Sequence, residues 1–276
     1  MCGGGRLKFG LTARPDDPRR VKIANHVVQF LSGKAELVVD DELVKHLHDK
    51  IDRTAPLREI KCDVMIAIGG DGTILHALQH NKAPVFGINM GELGFLTEIE
   101  PIELTDGLRR VLAGDFFIEH RLKVAASLNE RRLPDATNEV AVKTKRISKI
   151  LQFEIAWGDR ELLRVRGDGV ILATPTGSTS YAMSAGGPIV DPRVECFALV
   201  PLAAFSLSSR PMVLPPESVL QVRLMQRDKE AIVVVDGQHE EEMREGDTLT
   251  LYASEERARF VRFRQQFFHR LKSRLG

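Results

Sequence analysis

The stretch Asp63-Val64-Met65-Ile66-Ala67-Ile68-Gly69-Gly70-Asp71-Gly72-Thr73-Ile74-Leu75-His76-Ala77 decides how this chain is read. Five consecutive apolar residues from Val64 have the length of a buried strand, and the residues from Ile74 onward have the pattern of a helix. Three glycines and one carboxylate stand between them. In an open α/β sheet such a turn lies at the carboxyl edge of the strands, where ligands bind. Glycines let backbone N–H groups approach phosphate oxygens, and the helix start adds a dipole that favours anions. The turn reads as a phosphate cradle.

Asp71 is the anomaly, because a carboxylate among anion-binding groups repels phosphate unless it has another task. In phosphoryl transfer it could take the proton of an attacking hydroxyl or hold a metal ion, while Mg²⁺ neutralises a triphosphate. It could equally be an Asp-Gly turn with an N-cap. The residues alone leave both readings open.

Outward from this turn, apolar runs at 7–11, 37–39, 64–68 and 85–88 alternate with helical patterns at 19–31, 42–48 and 74–80. That rhythm predicts a Rossmann-like α/β domain with a mostly parallel sheet covered by helices on both faces. Pro15 and Pro18 precede the first helix, Gly33 follows it, and a further helix over 104–112 ends at Gly114-Asp115. From Phe116 the pattern changes to short strands at 122–128, 139–143, 151–156, 162–165, 170–173, 197–200, 219–224, 232–235 and 248–252. These predict a β-rich, sandwich-like second domain. The expected division is an α/β domain over 1–115, a β domain over 116–256, and a C-terminal helix over 257–276 returning to the first domain.

The length of 276 residues suits two domains at about 150 residues each. With 39 Lys and Arg against 38 Asp and Glu, the chain has no overall electrostatic footprint for nucleic acid. No apolar run approaches the roughly 18 to 20 residues that cross a bilayer, and residues 1–6 lack a secretion signal, so a cytoplasmic protein is expected. Cys2, Cys62 and Cys196 form no CxxC pair, which points away from a disulfide framework or thiolate zinc site. His46 and His48 read as solvated helix residues, and no metal site is expected. Residues 259–274 carry six Lys or Arg plus His269 and no acid, with Phe263, Phe267, Leu271 and Leu275 recurring every fourth residue. A helix that buries this stripe is expected, the alternative being contact with nucleic acid or an anionic surface. Walker A, GxGxxG, GxSxG and HExxH strings are absent from the sequence.

A second string, Arg166-Gly167-Asp168-Gly169, leads through a strand into Thr174-Pro175-Thr176-Gly177-Ser178-Thr179-Ser180-Tyr181. Six hydroxyl side chains in eight residues exceed what one helix cap requires, and they suit ribose hydroxyls and phosphates without adding charge. A helix is expected over 179–185. Asn138-Glu139 begins a strand and offers an amide and a carboxylate for ribose or base hydrogen bonds, or else marks a plain strand edge. Asp236-Gly237-Gln238 reads as a hairpin turn. In the glycine-punctuated loop from Gly87 to Leu96, Phe95 could stack on a base or fill a core.

Together these strings resemble the NAD kinase family, which phosphorylates NAD at the adenosine ribose 2′-hydroxyl. Gly69-Gly70-Asp71-Gly72-Thr73 resembles the family's first motif. Thr174 to Tyr181, preceded by Asp168-Gly169 and followed by Ser184-Ala185-Gly186-Gly187-Pro188, resembles its most specific one. Asn138-Glu139, the loop from Gly91 to Leu96, and Ser208-Ser209-Arg210-Pro211 fall in the same order. GGDGT alone is shared with diacylglycerol and sphingosine kinases and, less closely, with phosphofructokinases. Ser180 stands where alanine is common, and Ala204-Phe205 replaces a frequent Pro-His.

The resemblance implies that Asp71 is the general base, with Gly70, Gly72 and Thr73 near the transferred phosphates. Asn138 and Glu139 would hold the adenosine ribose, and Phe95 would lie against adenine. Asp168, Thr179, Ser180, Tyr181, Ala182, Met183 and Ser184 would contact the rest of the dinucleotide. His76, Lys149, Arg166, Thr176, Ala203 and Gln238 occupy binding positions that vary in residue type. Also implied are ATP or inorganic polyphosphate as donor, Mg²⁺ or another divalent cation with ATP, and a homodimer or homotetramer. Two alternatives are a lipid kinase sharing GGDGT and a non-catalytic NADP-binding sensor. No membrane or nucleic-acid partner is expected.

Overall fold

Apolar alternation and glycine punctuation yield two compact units in the computed structural model, which describes residues 7–92, 94–145, 150–206, 209–227 and 229–275. One unit comprises Met1–His120 with Ala258–Gly276, and the other Arg121–Arg257.

In the first unit β1 (Lys8–Ala13) leads to α1 (Pro18–Leu31), β2 (Glu36–Asp40), α2 (Asp41–Val44) and β3 (Thr54–Ala55). Then come β4 (Val64–Ile68), α3 (Asp71–His80), β5 (Val85–Ile88), α4 (Leu104–Ala113) and β6 (Phe117–Arg121). Pro18 is the first residue of α1, where its missing N–H costs nothing, and the Asp17 carboxylate accepts the Arg19 N–H at 2.9 Å. All five residues of β4 are buried because successive side chains enter opposite cores. Val64, Ile66 and Ile68 join Phe9, Leu11, Leu31 and Phe86, while Met65 and Ala67 join Ile74, Leu78 and Phe260.

The second unit contains β7 (Val124–Leu128), β8 (Arg131–Arg132), β9 (Glu139–Thr144), β10 (Leu151–Trp157), β11 (Arg160–Gly167) and β12 (Gly169–Ala173). It continues through α5 (Tyr181–Ser184), β13 (Phe197–Leu202), β14 (Met212–Leu214), β15 (Leu220–Leu224), β16 (Glu230–Val235), β17 (His239–Arg244) and β18 (Thr248–Ala253). Two sheets, β11-β10-β15-β18-β7-β8 and β14-β13-β12-β9-β16-β17, share one core. Phe153, Val222 and Leu249 of the first meet Val142, Leu172 and Val233 of the second there. On the outer face of the second sheet, Ala141, Ile171 and Val200 pack against Ala182 of α5.

The chain then returns to the first unit with β19 (Ala258–Arg262) and α6 (Phe267–Leu275). The resulting sheet has the order β3-β2-β1-β4-β5-β19-β6, and β2, β3, β4, β5 and β19 enter it through parallel pairings.

Several sequence expectations are corrected. Residues 117–120 are not the start of the β-rich part but belong to the edge strand β6 of the first unit's sheet. The stretch expected as one helix over 257–276 is a strand followed by a shorter helix. Ala258, Phe260 and Val261 are buried in strand spacing, and Phe260 pairs with Val85. The fourfold recurrence therefore ran across a strand-to-helix junction. The helix expected over 42–48 ends at Val44. The region expected as a helix over 179–185 splits into a 3₁₀ turn, Gly177–Thr179, and α5. Strand β17, His239-Glu240-Glu241-Glu242-Met243-Arg244, was hidden by its charges because only Met243 is fully buried.

Candidate active site

In the first unit the turn Gly69-Gly70 follows the carboxyl end of β4, and α3 begins at Asp71 with Gly70 as its N-cap residue. Gly70 has nothing near its missing Cβ, so its backbone stays open to a ligand. Thr73 is buried and donates its N–H to the Gly70 carbonyl at 2.9 Å. The Asp71 side chain does not cap its own helix. Its oxygens instead accept the N–H groups of Phe95 at 2.9 Å and Leu96 at 3.0 Å. An ionised carboxylate has about four acceptor positions, so lone pairs remain on a side chain that is only partly buried. Gly94 makes this closeness possible: a Cβ there would collide with the Asp71 carboxylate.

Phe95 is 7% exposed, with its ring 6.1 Å from that of Phe267 and 5.5 Å from the Arg274 guanidinium. The exposed aromatic that the sequence allowed is thus a core side chain, because α6 covers it. His76 lies partly buried on α3, its ring 4.5 Å from His80 in an edge-on contact.

In the second unit, the start of β9 lies beside the ends of β12 and β16, since Glu139 is opposite Ala173 and Val140 opposite Val235. This register gathers Asn138, Glu139, Thr174 and Asp236. The Asp236 carboxylate accepts the N–H groups of Thr137 and Asn138 at 2.7 Å each and of Glu139 at 3.1 Å. Asp236 has φ +50° and Gly237 φ +67°, and Gln238 closes the expected hairpin through its N–H to the Val235 carbonyl at 2.9 Å. Asn138 and Glu139 are each 7% exposed, and Asn138 Oδ1 and Glu139 Oε2 are buried without a hydrogen-bond partner. Two unsatisfied buried oxygens side by side are costly, which suits them to a ligand that offers hydroxyls, since a hydroxyl both donates and accepts. Burial, with Asp236 adding to it, raises the Glu139 carboxyl to about 8, while the Ser180 hydroxyl at 3.4 Å works in the opposite sense. Burial likewise raises Asp236, to about 6, against the three N–H bonds.

The hydroxyl string divides into scaffold and site. Thr174 Oγ1 donates to the Thr137 carbonyl at 2.6 Å and accepts the Gly177 N–H at 3.1 Å. Ser178 Oγ donates to the Pro175 carbonyl at 2.7 Å and accepts the Val190 N–H at 2.9 Å, and Thr179 Oγ1 donates to the Thr176 carbonyl at 3.3 Å. Half of the cluster, Thr174, Ser178 and Thr179, therefore has bonds that shape the loop. A Cβ on Gly177 would strike the Asn138 carbonyl, so the glycine allows the two motifs to touch. Thr176 is buried, Ser180 faces Glu139, and Tyr181, Ser184 and Asp168 are exposed, with Met183 partly so. Ala182 is wholly buried against the sheet, so its side chain is withdrawn from any ligand and only its backbone could serve. Arg166 is exposed, with its guanidinium 5.2 Å from the Phe205 ring, and Ala203 has φ +43°. Lys149 lies outside the described residues.

Sequence reasoning missed Arg270, Arg262 and the part played by Asp236. Arg270 stands three residues after Phe267, on the face of the apolar stripe, which was the available signal. Asp236 offered only a turn.

The profile of the ATP-NAD kinase N-terminal domain matches residues 9–116, and that of the ATP-NAD kinase C-terminal domain matches residues 137–263. The chain belongs to the NAD kinase family. It is 41% identical over 273 residues to the NAD kinase of Methanothermobacter thermautotrophicus, covering 98% of this chain and 96% of the relative. Against the NAD kinase of Thermococcus kodakarensis the identity is 43% over 267 residues, covering 95% and 96%. An Archaeoglobus fulgidus NAD kinase solved with ATP superimposes with a TM-score of 0.78 at 30% identity, covering 98% of this chain and all of that one. Yeast NADH kinase solved with NADH shares the fold, with a TM-score of 0.88 at 24% identity, covering 99% and 88%. The chain is an enzyme of this family, which displaces the lipid-kinase and sensor alternatives. Among the described residues no helix is long and apolar enough to cross a membrane.

Proposed function

We propose that this enzyme transfers the terminal phosphoryl group of ATP, or of inorganic polyphosphate, to the 2′-hydroxyl of the adenosine ribose of NAD. The observation that carries the reading is Asp71: a partly exposed carboxylate, fixed by two backbone amides, beside open glycine backbone at a helix start. In this reading Asp71 takes the hydroxyl proton as the oxygen attacks phosphorus, and Gly70, Gly72 and Thr73 attend the phosphates. The unsatisfied oxygens of Asn138 and Glu139 accept ribose hydroxyls. Exposed Asp168, Tyr181 and Ser184, with Thr179, Ser180 and Met183, contact the rest of the dinucleotide, and Arg166, Thr176, Ala203, Gln238 and His76 contribute further contacts. Transfer through a loose transition state asks the protein chiefly for positioning.

Among the described residues no three His, Cys, Asp or Glu side chains lie together as a metal cage. The divalent cation of the proposal is the one carried by the triphosphate as part of the donor, and it offsets the charge of that donor. The proposed setting is the cytoplasm and the proposed assembly a homodimer or homotetramer, which light scattering reads directly. The decisive assay is NADP formation from NAD with ATP or polyphosphate. Asp71→Asn should keep the fold and lose about a hundredfold to ten-thousandfold in kcat. Wild-type turnover by that variant removes Asp71 from the role of base.

A further inference from the structure

Asp71 is held by a loop, and that loop is gripped from its other side by α6. We propose that Arg270 is a positioning residue for Asp71, acting through the peptide group that joins Gly94 to Phe95. The proposal rests on the reading of Asp71 as base.

Arg270 Nη1 donates to the Gly94 carbonyl at 2.7 Å, and the N–H of Phe95 donates to Asp71 Oδ2 at 2.9 Å. That carbonyl and that N–H are the two polar edges of one planar unit, which cannot twist internally. Guanidinium and carboxylate therefore pull on opposite edges of the same plane, and a rotation that breaks one bond breaks the other. A cation on the carbonyl also polarises the N–H toward its acceptor.

Arg270 is built for this task. It is 5% exposed, and Nη1 also reaches Thr97 Oγ1 at 3.2 Å while Nη2 reaches the Glu98 carbonyl at 3.2 Å. Gln266, one helical turn earlier, accepts from both Arg270 Nε and Nη2 at 3.4 Å and donates to Glu98 Oε1 at 3.2 Å. Burial, with Arg262 nearby, lowers the Arg270 pKa to about 10, so it is a cation at neutral pH. A buried charge of this kind is a costly way merely to dock a helix, for which an apolar residue of similar volume suffices. The basic stripe of α6 thus holds one arginine that faces the protein rather than an external anion.

The test is steady-state kinetics with NAD and ATP on the full chain for Arg270→Gln, Arg270→Lys, Asp71→Asn, the double variant Asp71→Asn/Arg270→Gln, and Val111→Ala. Val111 is wholly buried in the core of the same unit, so its truncation supplies a stability loss without touching the loop. Arg270→Gln should lower kcat by about a hundredfold at unchanged KM, the scale of a misplacement of about 1 Å. Arg270→Lys should fall between, because one ammonium cannot span the Gly94 and Glu98 oxygens. The double variant should be no slower than Asp71→Asn alone, since Arg270 has no other route to the chemistry. Val111→Ala should keep wild-type kcat. Wild-type kcat in Arg270→Lys and Arg270→Gln, or multiplied losses in the double variant, overturns the proposal while leaving Asp71 as base. Wild-type turnover by Asp71→Asn overturns the underlying reading instead.

Discussion

The Asp236 carboxylate accepts the backbone N–H of Glu139 at 3.1 Å, so one buried acid fixes the chain that carries another. Burial keeps both short of ionisation, and Asp236 adds to the effect on Glu139. Both carboxyls are raised, Glu139 from 4.5 to about 8 and Asp236 from 3.8 to about 6. Between those limits the folded chain binds more protons than the unfolded one, so stability falls as pH rises. The contribution is complete below the ordinary carboxylate range and is lost as pH climbs through the raised values. Lys123, which favours the Asp236 anion, and the Ser180 hydroxyl on Glu139 act in the opposite sense. Glu139→Gln should therefore flatten the decline of the thermal midpoint between pH 5 and 8, relative to wild type. Identical slopes in a pH series of melting curves would show that Glu139 is not held protonated.

Removing the acid that organises this corner should be expensive. Asp236→Ala leaves three buried N–H groups, on Thr137, Asn138 and Glu139, without their acceptor. A loss of about 3 kcal/mol in urea unfolding is expected, tempered by the removal of a buried charge. Asp236→Asn keeps one carbonyl oxygen and should lose less. In both variants KM for NAD should rise more than KM for ATP, because the displaced residues are those assigned to the ribose.

Gly94→Ala tests how closely the loop must approach. Its Cβ would enter the space of the Asp71 carboxylate, so that the side chain or the loop has to move. We expect kcat to fall by about a hundredfold and the melting temperature to drop, because the loop is pinned at the Gly94 carbonyl by Arg270 and either it or Asp71 has to give way. Wild-type turnover by the variant would mean that Asp71 tolerates the shift.

Arg262 holds the same loop from another side. Its side chain is 6% exposed and pairs with Glu98 at 3.1 Å and Glu119 at 2.9 Å, and it also donates to the Leu96 and Thr97 carbonyls. Arg262→Met strands the Glu98 carboxylate, itself 1% exposed, and should destabilise the fold by about 3 to 5 kcal/mol in chemical denaturation. A Glu98→Gln change in that background should recover part of the loss, since it removes the uncompensated charge.

The strand-turn-helix around Asp71 was legible because everything that specifies it is local. Five apolar residues, then glycines, then helix spacing need no distant partner. The hairpin at Asp236 was legible for the same reason. Strands β17 and β19 were not, because β17 is an edge strand whose charges mask its alternation, and β19 borrows its meaning from β5. The internal bonds of the hydroxyl string were not legible: Thr174, Ser178 and Thr179 bond to carbonyls of the loop's own surroundings, and no local pattern tells such a hydroxyl from a free one.

Residue order along the chain was enough to point to the groups proposed for phosphoryl transfer, since an acid among glycines and an amide-carboxylate pair are properties of adjacent residues. How those groups are held was decided by contacts between residues far apart in the chain. Phe95 reaches Asp71 across 24 positions, Thr137 reaches Asp236 across 99, and Arg270 reaches Gly94 across 176. Hydrogen bonds of about 3 Å depend on the path of the whole backbone, and no local pattern encodes that path.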